Sequence, residues 1–198
     1  MNRVQRTLAS LNSDGRLGLA LLGACVLLLL PALWGEGGRL ALRYDRDALS
    51  QGQLWGLLTA HWVHLGLRHA LVNVLGFALL WALFVRDYSA RQWLLIVFAA
   101  LAAIDAGLWL WDSTVRWYVG SSGVLHGILA AGTVANLKRR EPQGLALAAL
   151  LAGKLLYEQR VGPLPFSGSS AVVVDAHLFG VVGGVAAALG LKPRPLPL

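Results

Sequence analysis

Long apolar segments separated by short charged stretches constrain the fold of this chain more than any other feature. Six such segments lie at about 17–34, 64–85, 91–111, 121–137, 143–157 and 172–191. A run of about 20 apolar residues can cross the hydrocarbon core of a membrane as a helix, which satisfies its own backbone hydrogen bonds. The pattern therefore predicts an all-α membrane protein, a single-domain bundle of six transmembrane helices over residues 1–198.

The charge composition is typical of a membrane protein rather than of a nucleic-acid-binding protein. Only 14% of the 198 residues are charged, although the net charge is +7, whereas soluble domains carry about a quarter charged residues. The Lys and Arg residues flank the apolar segments and form no basic stripe on a soluble face. We therefore expect the lipid bilayer as a partner, and no nucleic acid.

The distribution of basic residues predicts the orientation in the membrane, because cytoplasmic loops are enriched in Lys and Arg. If the N-terminus is cytoplasmic, the residues on that side are Arg3, Arg6, Arg16, Arg86, Arg91, Lys138, Arg139, Arg140, Lys192 and Arg194. The opposite side then holds the smaller set Arg39, Arg43, Arg46, Arg116 and Arg160, with Arg68 and Lys154 near span ends. Both termini are therefore expected in the cytoplasm. The longest loop, at about 35–63, would lie on the other side, with an amphipathic end at 54–62.

Polar residues lie near the beginning of three segments that enter from the same membrane face. His69 and Asn73 are near the start of the second segment, Ser122 begins the fourth, and His177 lies a few residues into the sixth. At a rise of about 1.5 Å per residue, these groups fall within roughly 10–15 Å of that face. Polar groups at membrane depth are costly, so a shared depth favours a shared cavity.

These residue types can perform nucleophilic catalysis. A serine hydroxyl needs a base within hydrogen-bond reach, which His177 would supply, and free N–H groups at the start of a helix can stabilise an oxyanion. His69 and Asn73 are four residues apart, hence on one helix face, and could add further donors. Small residues let helices approach closely, and the fourth and sixth segments carry glycines at 123, 127, 180 and 184.

Simpler interpretations exist for each residue alone. A serine at a helix start is commonly an N-cap, and a single membrane histidine commonly a packing hydrogen-bonder; their coincidence on three segments favours catalysis. His61, His64 and His69 form a cluster that suggests a metal site, but the chain has no HExxH motif and no carboxylate with an obvious position beside them. We therefore expect no metal and no cofactor.

Three segments carry motifs that resemble those of the rhomboid family. His69 and Asn73, in HLGLRHALVN at 64–73, resemble the pair that lines the rhomboid oxyanion site. GSSG at 120–123 matches the GxSG nucleophile motif, and AHLFGVVGG at 176–184 matches the AHxxGxxxG helix that carries the base. QLWGLLTAH at 53–61 also resembles the approach to the second rhomboid helix, so the resemblance extends over about 40–190.

This resemblance implies a rhomboid-like bundle and an intramembrane serine protease that cleaves membrane-anchored proteins in or near a transmembrane segment. Ser122 would be the nucleophile and His177 the base, as a dyad without an aspartate. The Ser122 amide, His69 and Asn73 would hold the oxyanion. The substrate would enter laterally, past the fifth span and the loop at 158–171. The implied location is the bacterial inner membrane, with the active site open to the non-cytoplasmic side.

One position differs from the commonest rhomboid pattern. Many members carry Tyr four residues after the nucleophile, where this chain has His126. The resulting GxSGxxHG resembles the rhombosortase branch, which is associated with substrates that bear a Gly-Gly-containing C-terminal sorting tail and its transmembrane segment. His126 could itself contact Ser122, since the two are four residues apart on one helix. The fuller motif around His177 favours that residue as the base, with His126 as an auxiliary residue that stacks on it or tunes it.

Two other functions are compatible with parts of the sequence. A non-catalytic rhomboid-like protein would bind membrane clients with the same fold, although such pseudoenzymes typically lack the serine or the histidine. A small transporter could use intramembrane histidines and Asp105 as a proton relay, and its flux would survive Ser122→Ala. No motif explains Asp105, and Asp175 is interpreted as a capping or interfacial acid on a helix face other than that of His177.

Overall fold

The computed structural model describes residues 15–164 and 172–195, which are mostly helical. In chain order the helices are α1 (Arg16–Leu29), α2 (Gly35–Leu42), α3 (Arg46–Ser50), α4 (Gly56–Thr59), α5 (Leu67–Phe84), α6 (Ala90–Leu110), α7 (Ser122–Lys138), α8 (Pro142–Val161) and α9 (Val174–Gly190). A 3-10 turn over Leu30–Trp34 joins α1 to α2. Two short strands, β1 (Tyr44–Asp45) and β2 (Trp117–Tyr118), pair antiparallel with Tyr44 opposite Tyr118.

The six longest described helices occupy the six predicted spans, so the all-α membrane bundle is confirmed. Three helical stretches are long and apolar enough to cross a membrane by length and composition, namely Arg16–Leu42, Leu67–Phe84 and Ala90–Leu110. Val174–Gly190 is apolar but shorter. Large apolar side chains cover the outside of the bundle, for example Leu75 and Leu150, which are 70% and 71% exposed. Such a surface suits contact with lipid.

Two sequence expectations differ from the structure. The segment at 35–63, predicted as a loop, contains α2, β1, α3 and α4, and the Asp45 side chain caps α3 by accepting the N–H groups of Asp47 and Ala48. The fifth span was predicted to end at residue 157, whereas α8 continues to Val161. Charged residues interrupt its apolar run, but two of them, Lys154 and Glu158, form an ion pair one helical turn apart. The helix can therefore continue through them.

Helix α9 lies against α7 and α6, and glycines allow the close contact. A Cβ atom on Gly127 of α7 would lie 2.7 Å from the Gly180 carbonyl oxygen of α9 and 2.7 Å from the Ala100 Cβ of α6. A Cβ on Gly180 or Gly184 would collide with the backbone of α7 at Gly123 or Gly127. The predicted close approach of these two helices is therefore confirmed. It holds the N-terminal ends of α7 and α9 side by side.

Two basic residues form hydrogen bonds between elements at the opposite end of the bundle, near the C-terminal ends of α7 and α9. Lys138, at the end of α7, donates to the carbonyl groups of Ala188, Leu189 and Leu191 at distances of 2.7–2.9 Å, which satisfies the last carbonyls of α9. Arg139 donates to Asp87 at 2.9 Å. The Lys138 contacts join the end of α7 to the end of α9, and the Arg139 contact joins α7 to the segment between α5 and α6.

Candidate active site

The loop before α7 positions Ser122 at the first residue of that helix. Gly120 in this loop has a φ of +124°, a conformation that strongly favours glycine. Its N–H donates to the Ala60 carbonyl at 2.9 Å, and its carbonyl accepts the Tyr118 hydroxyl at 2.5 Å. Because the N–H and the carbonyl of Gly120 both have partners, the start of α7 has a fixed position, and the N–H groups of its first turn have no partner within the helix.

The Ser122 hydroxyl is hydrogen-bonded to the His177 imidazole. The distance from Ser122 Oγ to His177 Nε2 is 3.0 Å, which lies within the range expected for a nucleophile and its base. The His177 side chain is buried, whereas Ser122 is half-buried. The structure therefore brings together the two residues that the sequence predicts as nucleophile and base, from helices α7 and α9.

The neighbouring serine has a different partner. Ser121 Oγ lies 3.2 Å from His64 Nε2, and both side chains are buried. Burial, together with the charge of nearby His69, lowers the pKa of His64 to about 4, so this imidazole is neutral at pH 7. Ser122 lines the cavity described below, and Ser121 instead borders an apolar pocket beside α1. This separation favours Ser122 as the reactive serine.

A cavity of about 190 Å³ opens beside Ser122. The side chains that line it come from α5, α7, α8 and α9 and from the segments that flank residues 165–171. They are Arg68, His69, Val72, Asn73, Ser122, His126, Lys154, Glu158, Leu164, Val172 and His177. All the residues predicted for the site from the sequence therefore border one cavity.

His69 is oriented by the segment before α5, and Asn73 by a contact within that helix. The Leu65 N–H donates to His69 Nδ1 at 3.3 Å, so a neutral His69 carries its proton on Nε2 and can donate from that atom. The ring edge lies close to Gly120, where a Cβ would be 2.9 Å from His69 Cε1. Asn73 Nδ2 donates to the His69 carbonyl at 2.9 Å. The arrangement gives the cavity an imidazole donor directly beside the loop that leads into Ser122.

His126 contacts the His177 ring and the Ser122 backbone carbonyl rather than the serine hydroxyl. Its Nδ1 donates to the Ser122 backbone carbonyl at 2.7 Å, and its ring stacks on that of His177 with centroids 4.1 Å apart and planes inclined by 21°. The predicted stacking is confirmed. Because Ser122 Oγ pairs with His177, the geometry favours His177 over His126 as the base.

Sequence reasoning missed a carboxylate in the site. Glu158 Oε2 lies 2.9 Å from His177 Nδ1, and Glu158 Oε1 lies 2.6 Å from Lys154 Nζ. The resemblance implies a dyad without an aspartate, and the predicted boundaries place Lys154 near the end of the fifth span and residue 158 in the loop at 158–171. The unusual spacing of opposite charges four residues apart inside an otherwise apolar segment was the one indication that the sequence offered.

The cluster of His61, His64 and His69 does have a carboxylate beside it, contrary to the sequence expectation. His61 Nε2 pairs with Asp105 Oδ1 at 3.2 Å. Over residues 15–164 and 172–195, the ligand atoms that come within 4.8 Å of one another belong instead to His126, Glu158 and His177. Their residue types suit a metal, but both nitrogens of His177 already have partners, Glu158 on Nδ1 and Ser122 on Nε2.

The fold and the cavity define a helical membrane protein with a hydrogen-bonded serine–histidine pair between two of its helices. The family model of the Rhomboid domain matches residues 51–194. The chain therefore belongs to the rhomboid family, whose members are intramembrane serine proteases, and the predicted family and enzyme class are confirmed. No individual curated protein matches the chain significantly.

Proposed function

We propose that this protein is an intramembrane endopeptidase in which Ser122 attacks the scissile carbonyl and His177 acts as the general base. The hydrogen bond of 3.0 Å between Ser122 Oγ and His177 Nε2 is the observation that carries the proposal. A serine hydroxyl is a weak nucleophile unless an adjacent base accepts its proton. His177 is the residue in reach of that hydroxyl.

The reaction follows the usual course of serine acyl transfer. As Ser122 Oγ bonds to the carbonyl carbon, its proton passes to His177 Nε2. His177 then gives this proton to the leaving amine as the peptide C–N bond breaks, and an acyl-enzyme remains on Ser122. Water reaching the cavity attacks the ester, again with His177 as the base, and releases the new carboxyl terminus.

The developing oxyanion would be held by groups on two helices. The Ser122 amide lies at the N-terminus of α7, where free N–H groups and the helix dipole favour negative charge. His69 Nε2–H and the Asn73 side-chain amide border the same cavity from α5. Donors that are oriented before the reaction need no reorganisation when the charge appears.

A groove between α5 and α7, at a different place from the entry past the fifth span that the resemblance implies, supports lateral access for a transmembrane substrate. It encloses about 250 Å³ and runs from Ser122 and Asn73 towards the membrane interior. The residues along it are mainly apolar: Val72, Gly76, Leu79, Leu80, Leu125 and Leu129. A helix in the bilayer can contact such a surface without passing through water. Residues 165–171 of the loop predicted as part of the entry lie outside the described residues.

The substrate class that we propose is a membrane-anchored protein with a Gly-Gly-containing C-terminal sorting tail, as the rhombosortase resemblance implies. His126 at the position of the common rhomboid Tyr supports this branch, and its imidazole stacks on His177 and lines the cavity next to Ser122. Glycines beside the scissile bond carry no side chain and would let the substrate backbone approach Ser122 closely. The bias of basic residues supports cytoplasmic termini in a bacterial inner membrane, with the site facing the opposite side.

Fluorophosphonate labelling of the purified protein in detergent tests the proposed nucleophile and base. Wild type is expected to label covalently, and Ser122→Ala and His177→Ala are expected to show no labelling. Ser121→Ala is the matched control, since it removes the adjacent hydroxyl and should retain labelling. Labelling that persists in Ser122→Ala, or a folded wild type that does not label beside a labelled control rhomboid, would contradict the proposal.

A tail-swap experiment tests the substrate class. A reporter carrying Gly-Gly, a hydrophobic helix and terminal basic residues should be cleaved near the glycines in proteoliposomes, as read by mass spectrometry of both products. The same reporter with Val-Val in place of Gly-Gly should be cleaved much more slowly. Equal cleavage of both reporters would exclude the sorting-tail specificity while leaving the protease assignment intact.

A further inference from the structure

We infer that Glu158 is the third member of a Ser122–His177–Glu158 triad, a positioning residue that holds His177 in the form able to act as base. The inference rests on the proposed function, since it assigns a role within the same site. It goes beyond the serine–histidine dyad that the family resemblance implies. Glu158 comes from α8, so the triad joins three helices.

The three side chains form a continuous hydrogen-bonded chain. Ser122 Oγ is 3.0 Å from His177 Nε2, and the other ring nitrogen, Nδ1, is 2.9 Å from Glu158 Oε2. Glu158 and His177 are only 3% and 4% exposed. A carboxylate that bonds Nδ1 while the hydroxyl bonds Nε2 has the same connectivity as the acid in known serine-protease triads.

The donors and acceptors determine which nitrogen of His177 carries the proton. Lys154 Nζ forms an ion pair with Glu158 Oε1 at 2.6 Å, which favours the carboxylate form of Glu158. With Glu158 as a carboxylate, Oε2 accepts, and the hydrogen bond at 2.9 Å requires a proton on His177 Nδ1. The Nε2 lone pair then faces Ser122 Oγ–H. This is the tautomer that base catalysis needs.

The contact between Glu158 and His177 also stabilises the positive charge that develops on the imidazole during the reaction. When the Ser122 proton moves to Nε2, the imidazole becomes a cation with the Glu158 carboxylate already at hydrogen-bond distance. Opposite charges attract more strongly in a poorly solvated site than in water. His126 stacks on the ring at 4.1 Å between centroids, so the imidazole is held both in its plane and across its face.

Charge balance explains why a glutamate can lie at this depth. A buried carboxylate is costly unless it is paired and hydrogen-bonded, and Glu158 has Lys154 on one oxygen and His177 on the other. Lys154 precedes Glu158 by one helical turn, so α8 supplies both charges itself. The Lys154–Glu158 ion pair therefore forms within α8 and needs no charge from another helix.

Steady-state kinetics of Glu158→Gln on a cleavable membrane reporter test the inference. The glutamine amide can turn its NH₂ towards Nδ1 and favour the wrong tautomer, so kcat should fall by roughly 100- to 10,000-fold, as expected for loss of a triad acid, with KM nearly unchanged. Glu158→Asp keeps a carboxylate and should be faster than Glu158→Gln. The matched control is Asp175→Asn, an acid-to-amide change two residues from His177, which should leave kcat as in wild type.

The double variant Glu158→Gln/Lys154→Gln separates catalysis from folding, because it removes both charges of the ion pair. It should remain as slow as Glu158→Gln although its thermal midpoint in detergent returns towards that of wild type. Recovery of wild-type kcat in the double variant would overturn the inference, as would an unchanged kcat in Glu158→Gln. Ser122→Ala and His177→Ala are measured alongside: if they are inactive while Glu158→Gln is fully active, only the triad fails, whereas activity in Ser122→Ala would refute the proposed function itself.

Discussion

Replacing Gly127 by alanine tests whether the contact between α7 and α9 sets the geometry of the Ser122–His177 pair. A Cβ at this position would lie 2.7 Å from the Gly180 carbonyl oxygen and 2.7 Å from the Ala100 Cβ, whereas ordinary contact begins at 3.4 Å. The neighbouring helices must therefore withdraw by about 0.7 Å. Overpacking of a closely packed interface typically costs about 1–3 kcal/mol.

The displacement is large compared with the tolerance of the site. If α9 absorbs it, the Ser122 Oγ to His177 Nε2 distance of 3.0 Å lengthens to about 3.7 Å, which is beyond hydrogen-bond range. A misplacement of about 1 Å can reduce a rate by about 100-fold. We therefore expect Gly127→Ala to lower kcat by roughly 10- to 100-fold, with a smaller effect on KM.

The assay is cleavage of a membrane reporter by purified protein in proteoliposomes, with the thermal midpoint in detergent as a parallel measure of stability. Gly153→Ala on α8 is the matched control, because nothing lies within 4 Å of its Cβ position. That change should be neutral or slightly stabilising, as alanine favours helix more than glycine does. Wild-type turnover by Gly127→Ala would refute the reasoning, since it would show that the helices can separate without disturbing the pair.

Three further perturbations follow from the described contacts. His69→Ala and Asn73→Ala should each reduce kcat by about 10- to 1,000-fold if these side chains hold the oxyanion, with little change in KM; unchanged rates in both would remove them from that role. His126→Ala should slow turnover without abolishing it, because this residue packs on the base and makes no bond to the serine hydroxyl; complete loss in a folded protein would reopen the choice of base. Because burial lowers the pKa of His64 from 6.5 to about 4, the unfolded chain binds more protons than the folded one between these pH values. Stability should therefore fall as the pH drops from 6.5 to 4, by at most about 3 kcal/mol, and His64→Asn should show a smaller loss in thermal unfolding scans.

Local sequence patterns predicted that Ser122 and His177 lie together and that α7 and α9 are in close contact. Ser122 and His177 occupy short motifs at the starts of apolar segments. Because both residues then lie at the same depth in the membrane, the sequence is enough to predict that they lie close together. Glycine spacing likewise predicted the close contact of α7 and α9, since small residues one turn apart form a groove in any helix. These properties depend on helix periodicity and membrane thickness, which are the same in every bundle.

The partner of His177 Nδ1 depended on tertiary structure. Whether Glu158 faces the site or the lipid is set by the rotation of α8 about its axis and by its packing on α7 and α9, and neither follows from hydropathy. The same holds for His61 and Asp105, which come from separate segments and meet in the interior. The sequence by itself determined a six-span membrane bundle with a serine and a histidine at one depth, because apolar length and local motifs suffice for that. The tertiary structure decided which buried charges pair, because the pairing of residues far apart in the chain depends on how the helices are rotated and packed.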